Sequence, residues 1–148
     1  MRTPHPQPTP EQLVSNIPAG MKHMAVMDVK HCYHMHPIAL DEDCDEGEVG
    51  RSITKFSTYR GSHRLTSLPQ GLVCSSDWIS HTLGSLQQEK ELKMNKEEGG
   101  MERCVDDCLL VAADFPTFVR KFRMFLSKCQ QYGVYLNPQN DQMMKVVK

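Results

Sequence analysis

"MERCVDDCLLVAAD", residues 101–114, sets two aspartates at the mouth of an apolar run. Cys108, Leu109, Leu110, Val111, Ala112 and Ala113 follow the pair and have the make-up of a buried strand. A carboxylate inside such a strand is costly unless something offsets its charge. Aspartate is also favoured in turns, where the pair would meet water. The stretch therefore predicts a core strand whose polar mouth, at Asp106 and Asp107, meets either solvent or a cation.

A second apolar strand of the same kind lies upstream. Met24, Ala25, Val26 and Met27 suit a buried strand, and Asp28 stands at its end. If the two strands are neighbours, Asp28, Asp106 and Asp107 meet at one edge of a sheet. Like charges that close repel, and at least one carboxyl pKa should rise. A pair of divalent cations relieves the repulsion. Oxygen-only ligands with room for water suit Mg²⁺, and two such ions can clamp the attacking and leaving oxygens of a phosphoryl transfer.

The remaining chain supplies helices to cover such a sheet. "TPEQLVSNIPAG" carries a capping box, with Thr9 as N-cap, Pro10 at the first helical position and Gln12 at the third. Leu13, Val14 and Ile17 form its apolar face, and Pro18 and Gly20 end it. "YHMHPIAL" reads as extended, and "DEDCDEGEVG" as a solvated acidic loop. "ITKFSTYRGSHRLTSL" reads as a β-hairpin of residues 53–59 and 63–68 around Gly61. "SSDWISHTLGSLQQEKEL" has helical period at Ile79, Leu83 and Leu86, with Ser75 or Ser76 as cap and Trp78 as a packing anchor. "KMNKEEGGME" reads as a polar connector. Asp114 caps a further helix whose apolar stripe is Phe118, Phe122, Phe125, Leu126 and Cys129, with Gly133 at its C-terminal cap. Arg120, Lys121 and Arg123 read as its solvated face, with contact to a phosphate backbone as the other reading. "VYLNP" is a short closing strand. The order is α, β(Asp), β-hairpin, α, β(Asp-Asp)β, α, β. It predicts an α+β fold, an antiparallel sheet with helices packed on one face.

Bulk properties narrow the class. A chain of 148 residues with 39% hydrophobic residues supports one domain with a real core. Lys plus Arg is 17 and Asp plus Glu is 18, a formal charge of −1, which excludes a surface that is basic throughout but not a local basic groove. Six cysteines without a CxxC read as reduced thiols, and no apolar leader or membrane-length run is visible, so the expected setting is intracellular, cytoplasm or nucleus, with no membrane partner. Residues 1–8 are expected to be an extended Pro-rich arm, 9–138 the domain, and 139–148 a frayed tail.

Four motifs then stand in a telling order: "MDVKHCYHMHPI", "RLTSLPQGLVCSSD", "CVDDCLLVA" and "QQYGVYLNP". Together they resemble the palm of a retroelement reverse transcriptase, closest to a gypsy-like LTR retrotransposon Pol, over residues 9–138. The resemblance implies the palm subdomain of a right-hand polymerase, performing RNA-directed DNA synthesis by two-metal nucleotidyl transfer to a primer 3′-hydroxyl. It implies two Mg²⁺ ions, with Mn²⁺ as a substitute, held by Asp28, the Val29 carbonyl, Asp106 and Asp107. Tyr33 would gate the incoming sugar, and Gln70 and Gly71 would meet the nucleotide. The partners implied are an RNA or DNA template-primer, a deoxynucleoside triphosphate and the rest of a Pol polyprotein, whose fingers would precede Met1 and whose thumb and RNase H would follow Lys148. Position 104 is Cys where the family often has Tyr, His36 stands where an apolar residue is usual, and "DEGEVG" looks inserted.

Two other readings stay open. One is an inactive retrotransposon-derived relic or domesticated binding module. The other is a structural metal site at His31, Cys32, His34 and His36, where His34 and His36 would share one side of a strand, although the spacing fits no standard zinc pattern.

Overall fold

A computed structural model describes residues 9–43, 50–72 and 75–137. The expected arm at 1–8, the tail at 139–148, Pro138, Cys44, Cys74 and most of the "DEGEVG" segment lie outside the described residues. The fold is α+β with antiparallel sheets, as the element order predicts. Helix α1 spans Pro10–Asn16 and strand β1 His23–Asp28. A small hairpin pairs β2, Phe56–Thr58, with β3, Gly61–His63. Helix α2 spans Ser75–Gln87, β4 Gly99–Cys104, β5 Asp107–Ala112 and α3 Phe115–Tyr132.

The main sheet has the order β1-β5-β4, so the strand that begins at Asp107 is central. Its register pairs Ala25 with Leu110 and Met27 with Cys108 on one side, and Met101 with Leu110 on the other. Alternate residues share a face. Ala25, Met27, Met101, Cys108, Leu110 and Ala112 therefore form one apolar surface, and all are buried in the core. Ile79, Leu83 and Leu86 of α2 and Phe118, Phe125 and Cys129 of α3 close over it. Helix α1 packs on β4 instead.

The caps explain where the helices start and stop. Thr9 and Gln12 form the reciprocal box, and the Asp114 carboxylate accepts from Thr117 N–H at 2.9 Å. Gly133 takes φ 67°, the left-handed conformation that ends α3.

Several expectations change. The "polar connector" contains the first four residues of β4, a strand buried from Gly99 to Arg103. Gly100 makes this possible, since a Cβ there would lie 2.5 Å from Met94 Cα and 2.6 Å from Met94 N. "YHMHPIAL" is extended only from Pro37, which makes a single antiparallel bridge to Ser67; its first half is not a strand. His31 takes φ 52°, and His34 N–H and Met35 N–H both return to the His31 carbonyl, so the chain turns. The hairpin is shorter than expected, because Ile53 belongs to a 3₁₀ turn, Arg51–Thr54. Helix α2 ends at Gln87 rather than running on to Leu92. The closing strand is reduced to a single bridge between Val29 and Leu136. Val14, Trp78 and Leu126, expected in apolar contacts, are exposed. Lys121, expected in water, is buried, with its ammonium donating to the Glu91 carbonyl at 2.9 Å. A lysine stem packs as an apolar chain once its head has an acceptor.

Candidate active site

The carboxylates assemble through strand register. Asp28, the last residue of β1, lies directly opposite Asp107, the first of β5. By alternation both stand on the face opposite α2 and α3. Asp106 sits in the two-residue turn between β4 and β5, and its carbonyl accepts from Val29 N–H at 3.1 Å. This answers what makes adjacent aspartates tolerable at the mouth of a core strand. Neither is inside the core: Asp106 is half-buried at the turn, and Asp107, the first residue of the central strand, is exposed.

The turn itself is held in an unfavourable conformation. Val105 takes φ 56°, a region that a β-branched side chain rarely adopts. Strain of this kind persists only where the surroundings enforce it. Here the ladder from Gly99–Ala112 to Cys104–Asp107 fixes both ends of the turn.

Asn137 fastens the outer side of the site. Its backbone N–H donates to the Asp28 carbonyl at 3.0 Å, and its side-chain amide donates to Asp28 Oδ2 at 3.2 Å. Lys30 N–H reaches the Tyr135 carbonyl at 2.7 Å. The Val29–Leu136 bridge thus uses the polar groups of Asp28 and Lys30, while the Val29 N–H points to the Asp106 turn. Sequence reasoning missed Asn137 as a partner of Asp28. Its only trace was the Asn-Pro that ends the fourth motif.

Electrostatics at the site carry the mark of crowded negative charge. The Asp107 carboxyl is pushed above the ordinary carboxylate range, by partial burial first and then by Asp106 and Asp28. Cys32, buried beneath, has its thiol raised to about 12 by burial, then by the same Asp106 and Asp28, with Arg103 opposing. Arg103 is a second residue that sequence reasoning missed. It is 7% exposed, its Nε and Nη1 have no hydrogen-bond partner, and burial lowers its pKa. Nothing in a strand that reads as polar signals that this arginine is inside.

The other expected site residues fall around this centre. Tyr33 is half-buried against the core, in the turn that follows Val29. Gln70 is exposed, and Gly71 takes φ +96° with open space where a Cβ would stand. Their segment is tied to the Tyr33 side: Leu68 N–H donates to the His36 carbonyl at 2.9 Å, and Ile38 N–H to Thr66 at 3.0 Å. Ser75 Oγ donates to the Pro69 carbonyl at 2.9 Å and anchors the other end to α2. The structure therefore brings Asp28, Val29, Asp106 and Asp107 together, and carries Gln70 and Gly71 on a separate support.

Among the described residues, no group of three or more His, Cys, Asp or Glu side chains converges as a ready-made metal site. The histidines of "HCYHMH" lie in a turn, so the strand that would have aligned His34 with His36 is absent. The rings of His31 and His34 stand 6.3 Å apart. Cys32, Cys104, Cys108 and Cys129 are free thiols, and burial raises Cys108 and Cys129 as well. No helix of the described residues is long and apolar enough to cross a membrane.

Comparisons with known proteins fit this architecture. No family model matches the chain, and no curated protein matches it. Solved structures do. Native prototype foamy virus protease–reverse transcriptase aligns with a TM-score of 0.71 at 17% identity, over 96% of this chain and 17% of that one. The foamy viral enzyme in complex with double-stranded DNA gives 0.73 at 16% identity, over 97% of this chain and 27% of that one. Its complex with an RNA/DNA hybrid gives 0.69 at 17%, over 88% and 16%. The fold is that of a retroviral reverse transcriptase segment. It is consistent with a palm, and the chain spans well under a third of the length of those structures.

Proposed function

We propose that this chain is the palm segment of a reverse transcriptase of the gypsy-like LTR retrotransposon type. In this reading it catalyses templated transfer of a deoxynucleotide to a primer 3′-hydroxyl. The observation that carries the reading is the opposition of Asp28 and Asp107 at one end of the sheet, with Asp106 in the adjoining turn. The likeness in fold to structures solved with RNA/DNA hybrid and with double-stranded DNA supports it.

The donor set fits Mg²⁺. Three carboxylates on a water-facing sheet end are hard oxygen ligands, and the Asp107 carboxyl, raised first by partial burial and then by Asp106 and Asp28, stands in negative charge that a cation would offset. The Val29 carbonyl adds a backbone oxygen. When bound, two such ions supply charge neutralisation and orient the attacking and leaving oxygens.

The chain's own residues do the positioning. Asn137 holds one oxygen of Asp28, so the other is presented in a fixed direction. The strained Val105 turn holds Asp106 and Asp107 against rotation of their backbone. Tyr33 offers a ring braced by the core beneath the sugar of the incoming nucleotide. Gln70 meets that nucleotide, and Gly71 lets the backbone approach it. Template, primer and triphosphate are held jointly with other parts of a Pol polyprotein. Positioning of this kind supplies most of the rate enhancement in phosphoryl transfer.

The test is a ¹H–¹⁵N spectrum with Mn²⁺ titrated in against excess Mg²⁺. Selective broadening around Asp28, Asp106 and Asp107, reversed by Mg²⁺, is the expected result. A folded spectrum indifferent to Mn²⁺ sinks the metal-dependent reading.

A further inference from the structure

The β2–β3 hairpin stands out from the rest of the fold by its exposure. Every residue of both strands is exposed. No carboxylate occurs from Gly50 to Ser76, while Arg51, Lys55, Arg60 and Arg64 are cationic. Aromatic rings stand among these charges. Tyr59 at the turn is 90% exposed, and Phe56, 46% exposed, stacks on His63 with ring centres 5.5 Å apart.

A two-stranded hairpin is marginal alone, and this one is anchored at its base. Leu65 N–H donates to Thr54 Oγ1 at 2.9 Å, and Thr54 Oγ1 donates to the Arg51 carbonyl at 2.8 Å. Arg51 Nε reaches the Ile38 carbonyl at 3.0 Å, and Arg64 pairs with Asp41. Arg51 and Arg64 therefore serve the base. Lys55, Tyr59 and Arg60 are carried outward. The Arg60 guanidinium lies 5.2 Å from the Tyr59 ring centre, which steadies the ring from one face.

An open aromatic face beside cations matches single-stranded nucleic acid: bases stack on the ring and phosphates meet the charges. An acidic protein segment would use the cations but not the ring. We propose that this hairpin binds single-stranded RNA or DNA, with a base on the open face of Tyr59 and the backbone phosphates at Lys55 and Arg60. This deepens the nucleic-acid reading above. It stands on residues outside the carboxylate centre, so either can fail alone.

The experiment is fluorescence anisotropy of the chain with labelled oligo-deoxythymidine and oligo-uridine, without divalent metal, as a function of salt. Tyr59→Ala should weaken binding roughly fivefold or more, and Tyr59→Phe should keep it, because stacking needs the ring and not the hydroxyl. Lys55→Gln should reduce the slope of log affinity against log salt by about 0.7, the value of one single-strand phosphate contact. Equal binding of both oligonucleotides would assign a general single-strand site, and preference for one would assign its source. Absence of binding, indifference to Tyr59→Ala, or equal competition by polyglutamate would overturn the proposal. Tyr59 is solvent-exposed, so its substitution leaves the core intact.

Discussion

Replacing Asp107 by Asn should stabilise the metal-free protein at neutral pH. Asp28 and Asp107 are paired directly across β1 and β5. Residues so paired have Cβ atoms about 5 Å apart, which sets the scale of the carboxylate separation. Two unit charges at that distance repel by roughly 0.8 kcal/mol in bulk water and about 3 kcal/mol at an effective dielectric constant near 20. Asp107 is exposed, so the lower part of that range applies, about 1 kcal/mol. For a chain of this size that is about 3 °C in Tm.

The sign follows from the protonation states. The folded Asp107 pKa lies above its unfolded value. Between the two values the folded state binds more protons, so stability falls as pH rises through the window and the penalty is complete above it. Asp107→Asn should therefore gain stability at pH 8, and the gain should vanish at pH below the ordinary carboxylate value. Thermal or urea unfolding at both pH values, in chelator, measures it. A variant no more stable than the parent at pH 8, or one whose advantage persists in acid, would refute the electrostatic account.

Three further outcomes test the packing. Val105→Gly should gain about 1 kcal/mol in urea unfolding with an unchanged m-value, because relief of positive-φ strain outweighs the entropy cost of glycine. Gly100→Ala should cost about 3 kcal/mol or prevent folding, since its Cβ would meet Met94 backbone atoms that have nowhere to move; a urea midpoint close to the parent's would show that β4 packs otherwise. Arg103→Met should be neutral or stabilising by about 1 kcal/mol, because it removes a buried charge with unpaired N–H groups; a loss above about 2 kcal/mol would mean that the guanidinium has partners of real strength.

Much of this fold can be read in the chain where local rules govern. Thr9, Asp114 and Gly133 announce helix ends because caps are chosen by residues only a few positions apart. Met24–Asp28 and Cys108–Ala112 announce core strands because their runs are apolar. Legibility fails where a distant neighbour decides. Glu102 closes a stretch that reads as a polar connector, yet the sheet, α1 and α2 bury it and the adjoining Arg103 in β4. Lys121 is inside because a carbonyl 30 positions away accepts a hydrogen bond from its ammonium. The turn at His31 defeats a strand reading, because one left-handed residue reverses a segment of otherwise suitable composition. In the same way the chain shows three aspartates, but only the register places Asp28 and Asp107 on one face. Asn137 acquires its role only when the last turn of the described chain crosses back over β1.

That crossing has a consequence for how the protein folds. The Asn137–Asp28 bond closes a span of 109 residues, and among the described residues β1 meets no strand partner until β5 has been made. During synthesis β1 must wait, with an apolar surface and an unpaired edge, while most of the domain follows it. Long closures of this kind form late and slow the overall reaction. The carboxylate cluster is thus among the last features to appear, and its formation coincides with completion of the domain. A chain that has not yet reached Asn137 lacks the contact that holds the Asp28 side chain, even where β5 already covers β1.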